Sequence, residues 1–163
     1  MLWGIICTVL VVSMMVGPIM LMKPSLSQKR LAAKRQKAIE KGFRVHMAPT
    51  PEGVKIDAIP RYISMYCWPL EKKHKQDDSW LLIKKNYTHE IHAAGCWDWS
   101  QEPSQSPAID KILNTLSELP NSVVAIEKNH QGVCCYWEEK GDEQQLENLL
   151  NWIKQTAATL CQD

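Results

Sequence analysis

The segment "HEIHAAGCWDWS" holds the residues best suited to chemistry. His89, His92 and Cys96 fall in an H-x2-H-x3-C spacing, with Glu90 and Asp98 adding carboxylates. Zinc takes imidazole and thiolate ligands, and Cys134 or Cys135 could complete a tetrahedron. Such intervals are ordinary in any histidine-containing segment. The C-x2-C knuckle is absent, and "HEIHA" sets its histidines three apart where a zinc-protease helix needs four. The first reading is therefore a polar segment with surface histidines, and the second a metal or thiol site. Cys96 and His92 also form the one compact thiol–imidazole pair, whose reactivity would need a depressed thiol pKa. No G-x-S-x-G elbow and no Gly-rich phosphate loop occurs, and no cofactor is implied.

Tryptophan is the other signal, seven residues against a single Phe. Trp68, Trp80, Trp137 and Trp152 fall within expected elements, where packing is the default. Trp97 and Trp99 stand at the edge of a long irregular stretch and share a side if that piece is extended. Their default role is to cover the sheet's open face, and their alternative is an exposed contact for a partner or the bilayer surface. They are the candidate contact residues.

The elements that must position these groups read as follows. "GFRVHMA", "RYISMYCWP" and "SWLLIKKN" alternate like strands. Residues 87–106 lack a clean period and end in turn-rich "SQEPSQSP". Ser106 and Pro107 open a helix with Ile109, Ile112, Leu113 and Leu116 on one stripe. "SVVAIEK" and "GVCCYWEE" form a hairpin across "NHQG", and Asp142 with Gln145 signs the start of a last helix. The expected order is βββ-α-ββ-α, an α+β domain over residues 43–163 with a mostly antiparallel sheet and two helices.

Residues 1–22 carry no charged side chain. As a helix they would run about 33 Å, enough for a hydrocarbon core of about 30 Å, so they predict an N-terminal transmembrane helix. Nothing basic precedes the run and no A-x-A site follows it, which argues against a cleaved signal. Residues 23–42 read as a basic juxtamembrane helix or linker. Lys23, Lys29, Arg30, Lys34, Arg35, Lys37, Lys41 and Arg44 form a collar suited to anionic lipid headgroups, with Glu40 the one acid among them. Of 19 basic and 18 acidic residues, these eight and one leave eleven basic against seventeen acidic beyond Arg44. Positive charge beside the span predicts an N-out, C-in orientation with the domain in the cytoplasm. An acidic domain argues against nucleic acid as a partner. Five cysteines follow the apolar run, an odd number, which favours reduced thiols.

The basic–proline exit at Lys23 and Pro24, then Gln28, Lys29, Arg30 and Gly42, resembles the start of YajC, an accessory subunit of the bacterial Sec preprotein translocase. The resemblance is confined to the span and collar, because YajC continues with a G-D-E-V-V-T-x-G-G type segment where this chain has "GFRVHMAPTPEG". The whole chain is similar to a group of gammaproteobacterial single-span inner-membrane proteins, some of them called translocase subunit YajC. They share the basic text, a "SWLLIKK"-like strand, a W-x-W step, "LP-x-x-V-V-A-I-E" and a "YW-E-E-x-G" strand. The resemblance implies a bitopic protein of the bacterial inner membrane and supplies no mechanism; the first reading of the chain is a non-enzymatic accessory with a membrane-protein partner or a homo-oligomer. The rival is a membrane-tethered metal or thiol enzyme using His89, His92 and Cys96.

Overall fold

The computed structural model describes residues 3–10, 13, 24–54, 59–70, 79–85 and 93–162. The chain divides into two units, Met1–Ala33 and Lys34–Asp163. In the first, residues 3–10 are helical (α1) and exposed, and Thr8 Oγ1 donates to the Gly4 carbonyl at 2.9 Å. The transmembrane helix expected over residues 1–22 needs correction. Among the described residues no helix is long and apolar enough to cross a membrane. Residues 1–2, 11–12 and 14–22 lie outside the described ones. The single-pass N-out/C-in layout, which rested on that span, is corrected with it.

Helix α2, Leu26–Glu40, bears the basic residues. Its start is a capping box: Gln28 N–H donates to Ser25 Oγ at 3.2 Å and Ser25 N–H donates to Gln28 Oε1 at 2.9 Å. It ends where Gly42, at φ 91°, donates to Ile39 O and Phe43 N–H reaches back to Ala38 O at 3.1 Å. Only glycine takes that backbone turn at little steric cost.

The second unit is built on one antiparallel sheet. Its strands are β1 Arg44–Pro49, β2 Tyr62–Trp68, β3 Trp80–Lys84, β4 Trp97–Gln101, β5 Val123–Asn129 and β6 Gly132–Trp137, ordered β1-β2-β6-β5-β3-β4. The expected βββ-α-ββ-α order therefore needs a sixth strand. β4 lies inside the stretch read as irregular, because it is short, runs into turn-rich text and carries the register shift at Ser100.

Helices α3, Pro107–Thr115, and α4, Glu143–Gln162, pack on one face of the sheet. Leu146, Leu149, Leu150 and Ile153 of α4 are fully or almost fully buried, each contributing about 1.5–3 kcal/mol on removal from water. The Trp152 indole N–H donates to Thr115 Oγ1 at 3.1 Å and ties α4 to α3. The sheet's other face carries Ile63, Met65, Cys67, Ile83, Val124, Cys134 and Tyr136, all buried. There Cys67 faces Cys134 across β2 and β6, and the two form a disulfide. The reading of wholly reduced thiols is corrected: the strand register brings together residues 67 positions apart, which no sequence spacing reveals. Cys135 turns to the helix side, where burial pushes its thiol pKa well up.

Candidate interaction site

Two features of the Lys34–Asp163 unit draw polar side chains together. The first is a clasp between α2 and the segment leaving β6. Arg35 Nε donates to Glu139 Oε1 at 2.7 Å and its Nη2 to Oε2 at 2.6 Å, a bidentate pair. The same Nη2 reaches Ser64 Oγ at 2.9 Å, and the Tyr66 hydroxyl donates to Glu139 Oε1 at 2.7 Å. Glu139 sits at φ 58°, a left-handed conformation that persists in a non-glycine residue when its surroundings fix it. Lys34 adds to that fixing, since its ammonium donates to the carbonyls of Glu139 (3.2 Å) and Gly141 (2.6 Å) and lies 5.5 Å from the Trp137 ring centroid. Further along α2, Lys37 pairs with Glu143 at 2.5 Å and Glu147 at 2.8 Å, and Lys41 pairs with Glu147.

Burial pushes the Glu139 carboxyl up, but hydrogen bonds from Arg35, Tyr66 and Ser64 outweigh it and hold the group below its ordinary range. Glu147 is lowered by Lys37 and then Lys41, and Lys37 is raised to about 12 by Glu143 and then Glu147. Burial, and then the Glu139 bond, push the Tyr66 hydroxyl well up, so it donates as a neutral phenol at physiological pH. A carboxylate whose folded pKa lies below its unfolded value of about 4.3 stabilises the fold fully above that value. That contribution is lost as pH falls through the folded value. Urea unfolding is therefore expected to show stability dropping below about pH 4, with a shallower drop in Glu139→Gln. An unchanged slope in that variant would remove Glu139 as a source.

The clasp redefines part of the expected collar. Lys34, Arg35, Lys37 and Lys41 meet the domain's own carboxylates and carbonyls, whereas Lys29, Arg30 and Arg44 are exposed and Lys23 lies outside the described residues. No spacing argument pairs Arg35 with Glu139, 104 positions away. Tyr66 and Glu139 were missed for that reason, the one visible hint being the acids of "WEEKG" at the exit of β6.

The second feature is the edge of the sheet at β4. Lys85 N–H donates to Cys96 O at 2.8 Å, which makes Lys85 and Cys96 a hydrogen-bonded pair. By antiparallel alternation Trp97 and Trp99, opposite Lys84 and Leu82, turn their backbone groups away from β3. Those of Trp97 are taken by Ala94, at 2.9 and 3.4 Å. Those of Trp99 have no strand partner among the described residues. Ser100 is the extra residue where the β3–β4 register shifts, a bulge that bends this edge.

The two tryptophans differ in burial. Trp97 is 5% exposed and packs in the helix-side core, so it belongs to the first of its two expected roles. Trp99 is half-buried, with its ring edge-on to Trp80 at 5.7 Å and 84°. It also borders a groove of about 630 Å³ completed by Pro103, Ser106, Pro107, Ile109 and Leu113, with Glu102, Gln105 and Asp110 as its remaining polar lining. Ser106 shapes that wall, because its Oγ accepts from Ala108 N–H at 3.2 Å and caps α3. Among the described residues two buried side-chain atoms lack a partner, Trp80 Nε1 and Asp98 Oδ1, and both belong to the β3–β4 pair.

The histidine–cysteine constellation is only partly visible. His89 and His92 lie outside the described residues, and Cys96 is half-buried beside a cavity of about 410 Å³ shared with Lys84 and Trp97. Among the described residues no group of three or more His, Cys, Asp or Glu is placed to hold a metal ion. Comparisons with protein-family models, curated proteins and solved structures found no match to this chain.

Proposed function

We propose that the Lys34–Asp163 domain works by binding another protein, as a non-enzymatic accessory module, through β4 and the groove beside it. The observation that carries this reading is Trp99. Its backbone groups face away from the sheet, and its half-buried ring lines a groove together with Ile109 and Leu113. A tryptophan held on one side by a core neighbour and accessible on the other is the kind of anchor that dominates binding energy at interfaces. The N-terminal resemblance to a translocase accessory subunit makes a membrane-complex subunit the first partner class to test, and a second copy of this chain the next.

Trp99→Ala in the full-length chain, kept in mild detergent because residues 1–22 are apolar, is the direct test. Partner retention is expected to fall about thirtyfold, as for loss of a hot-spot aromatic. Folding stability is expected to fall by only about 1 kcal/mol, for the lost contact with Trp80. Unchanged retention would take Trp99 out of the interface and the reading with it.

A further inference from the structure

The binding reading leaves open what kind of segment the β4 edge accepts, and the groove's polar lining bears on that. Glu102 leaves β4 and Asp110 stands in the first turn of α3, where the helix N-terminus favours its negative charge. Both are exposed, and among the described residues no Lys, Arg or His lines the groove with them. The same groove is lined by half-buried Trp99 and by the apolar side chains of Ile109 and Leu113. A long cationic side chain matches that arrangement best. Its stem would lie along apolar surface, its head would reach the carboxylates, and a planar guanidinium would also stack on the indole.

The backbone geometry sets the conformation of the segment that brings such a side chain. A strand laid along β4 would run about 4.8 Å from it and bond to the outward N–H and C=O of Trp99. Every second side chain of that strand would then fall on the face of the sheet that carries Trp99 and the groove. The Ser100 bulge and the Ala94 bonds to Trp97 keep the available ladder short, so the match is to a short extended segment rather than a whole sheet.

We infer that the partner presents a short extended segment that pairs with β4 at Trp99 and places an arginine over that indole, against Glu102 and Asp110. This inference rests on the proposed function and specifies the partner's chemistry.

The test uses full-length protein and three labelled synthetic peptides read by fluorescence anisotropy. One alternates Thr with Arg, one alternates Thr with Glu, and the third is the Thr–Arg peptide N-methylated at alternate amides. The Thr–Arg peptide is expected to bind, the Thr–Glu peptide not to bind, and N-methylation to abolish binding by removing the ladder donors. The E102Q/D110N double variant is expected to weaken binding about tenfold, the scale of losing a charged hydrogen-bond partner. E52Q/E118Q neutralises two exposed carboxylates outside the groove lining and is expected to leave binding unchanged. Equal weakening by both double variants would show general charge attraction and overturn the inference. So would binding that survives N-methylation, or no binding of any peptide. The Trp99→Ala retention result judges the broader binding reading separately in each case.

Discussion

Replacing Arg35 with Met is expected to cost about 3 kcal/mol of folding stability, the low end for breaking a buried ion pair. The low end applies because the Arg35 side chain is 36% exposed while that of Glu139 is only 5% exposed. The loss comes mainly from what stays behind. Without the guanidinium, the Glu139 carboxylate keeps the Tyr66 hydroxyl bond and loses its two charged donors, so a nearly buried charge is left without a cation on it. The R35M/E139Q double variant is therefore expected to be more stable than R35M by about 1 kcal/mol or more, since an amide needs no counter-ion there. Urea unfolding of the three proteins checks this. A cost below about 1 kcal/mol for R35M would make the pair an ordinary surface bridge and remove the clasp as the tie between α2 and the sheet.

Gly132→Ala is expected to be at least as damaging, at about 3 kcal/mol or more. Gly132 has φ 132°, a conformation that costs an L side chain about 1–3 kcal/mol by itself. An added Cβ would also stand 1.9 Å from the Trp68 carbonyl oxygen and 2.9 Å from the Pro69 Cα, both parts of the main chain. Relief requires the end of β2 to move away from β6, where Trp68 pairs with Val133, so a sheet contact is lost as well. Gly95→Ala is the natural control. It too has positive φ, at 58°, but no described residue lies within 4 Å of an added Cβ, and a cost of about 1–2 kcal/mol is expected. Equal costs for the two variants would show that backbone conformation alone matters and that the β2–β6 approach is loose.

The parts of this fold that were legible in the sequence are those held by local chemistry. The Ser106–Pro107 start of α3, the Asp142 bond to Gln145 N–H (2.8 Å) at the start of α4, and the hairpin closing at Gly132 each depend on residues a few positions apart. β4 escaped notice because its identity depends on pairing with β3, across a register shift at Ser100 that local text does not reveal. The disulfide and the Arg35–Glu139 pair were hidden for a related reason. Each joins residues that only the sheet order β1-β2-β6 brings side by side, or that α2 meets after the whole sheet is built. The apolar run misled in the opposite way. Composition predicted a span of 22 residues, and helix length among the described residues does not support one.

The candidate site was legible in its aromatic component only. Trp97 and Trp99 stand out by residue type, but their division into a core residue and a groove residue follows from burial against Trp80 and the helices. Glu102 and Asp110 sit in text that reads as a turn and a helix start, and nothing in it joins them to the same groove.

The most direct test of the binding account is site-resolved photo-crosslinking of the full-length chain in its own cells. A photoreactive phenylalanine analogue would replace Ser100 or Gln105, on β4 and in the groove lining, with His46 on the far edge strand β1 as control. The account predicts one discrete protein adduct from both groove-side positions, absent from the His46 position and lost in the Trp99→Ala background. Adducts from His46 alone, or groove-side adducts indifferent to Trp99, would contradict it.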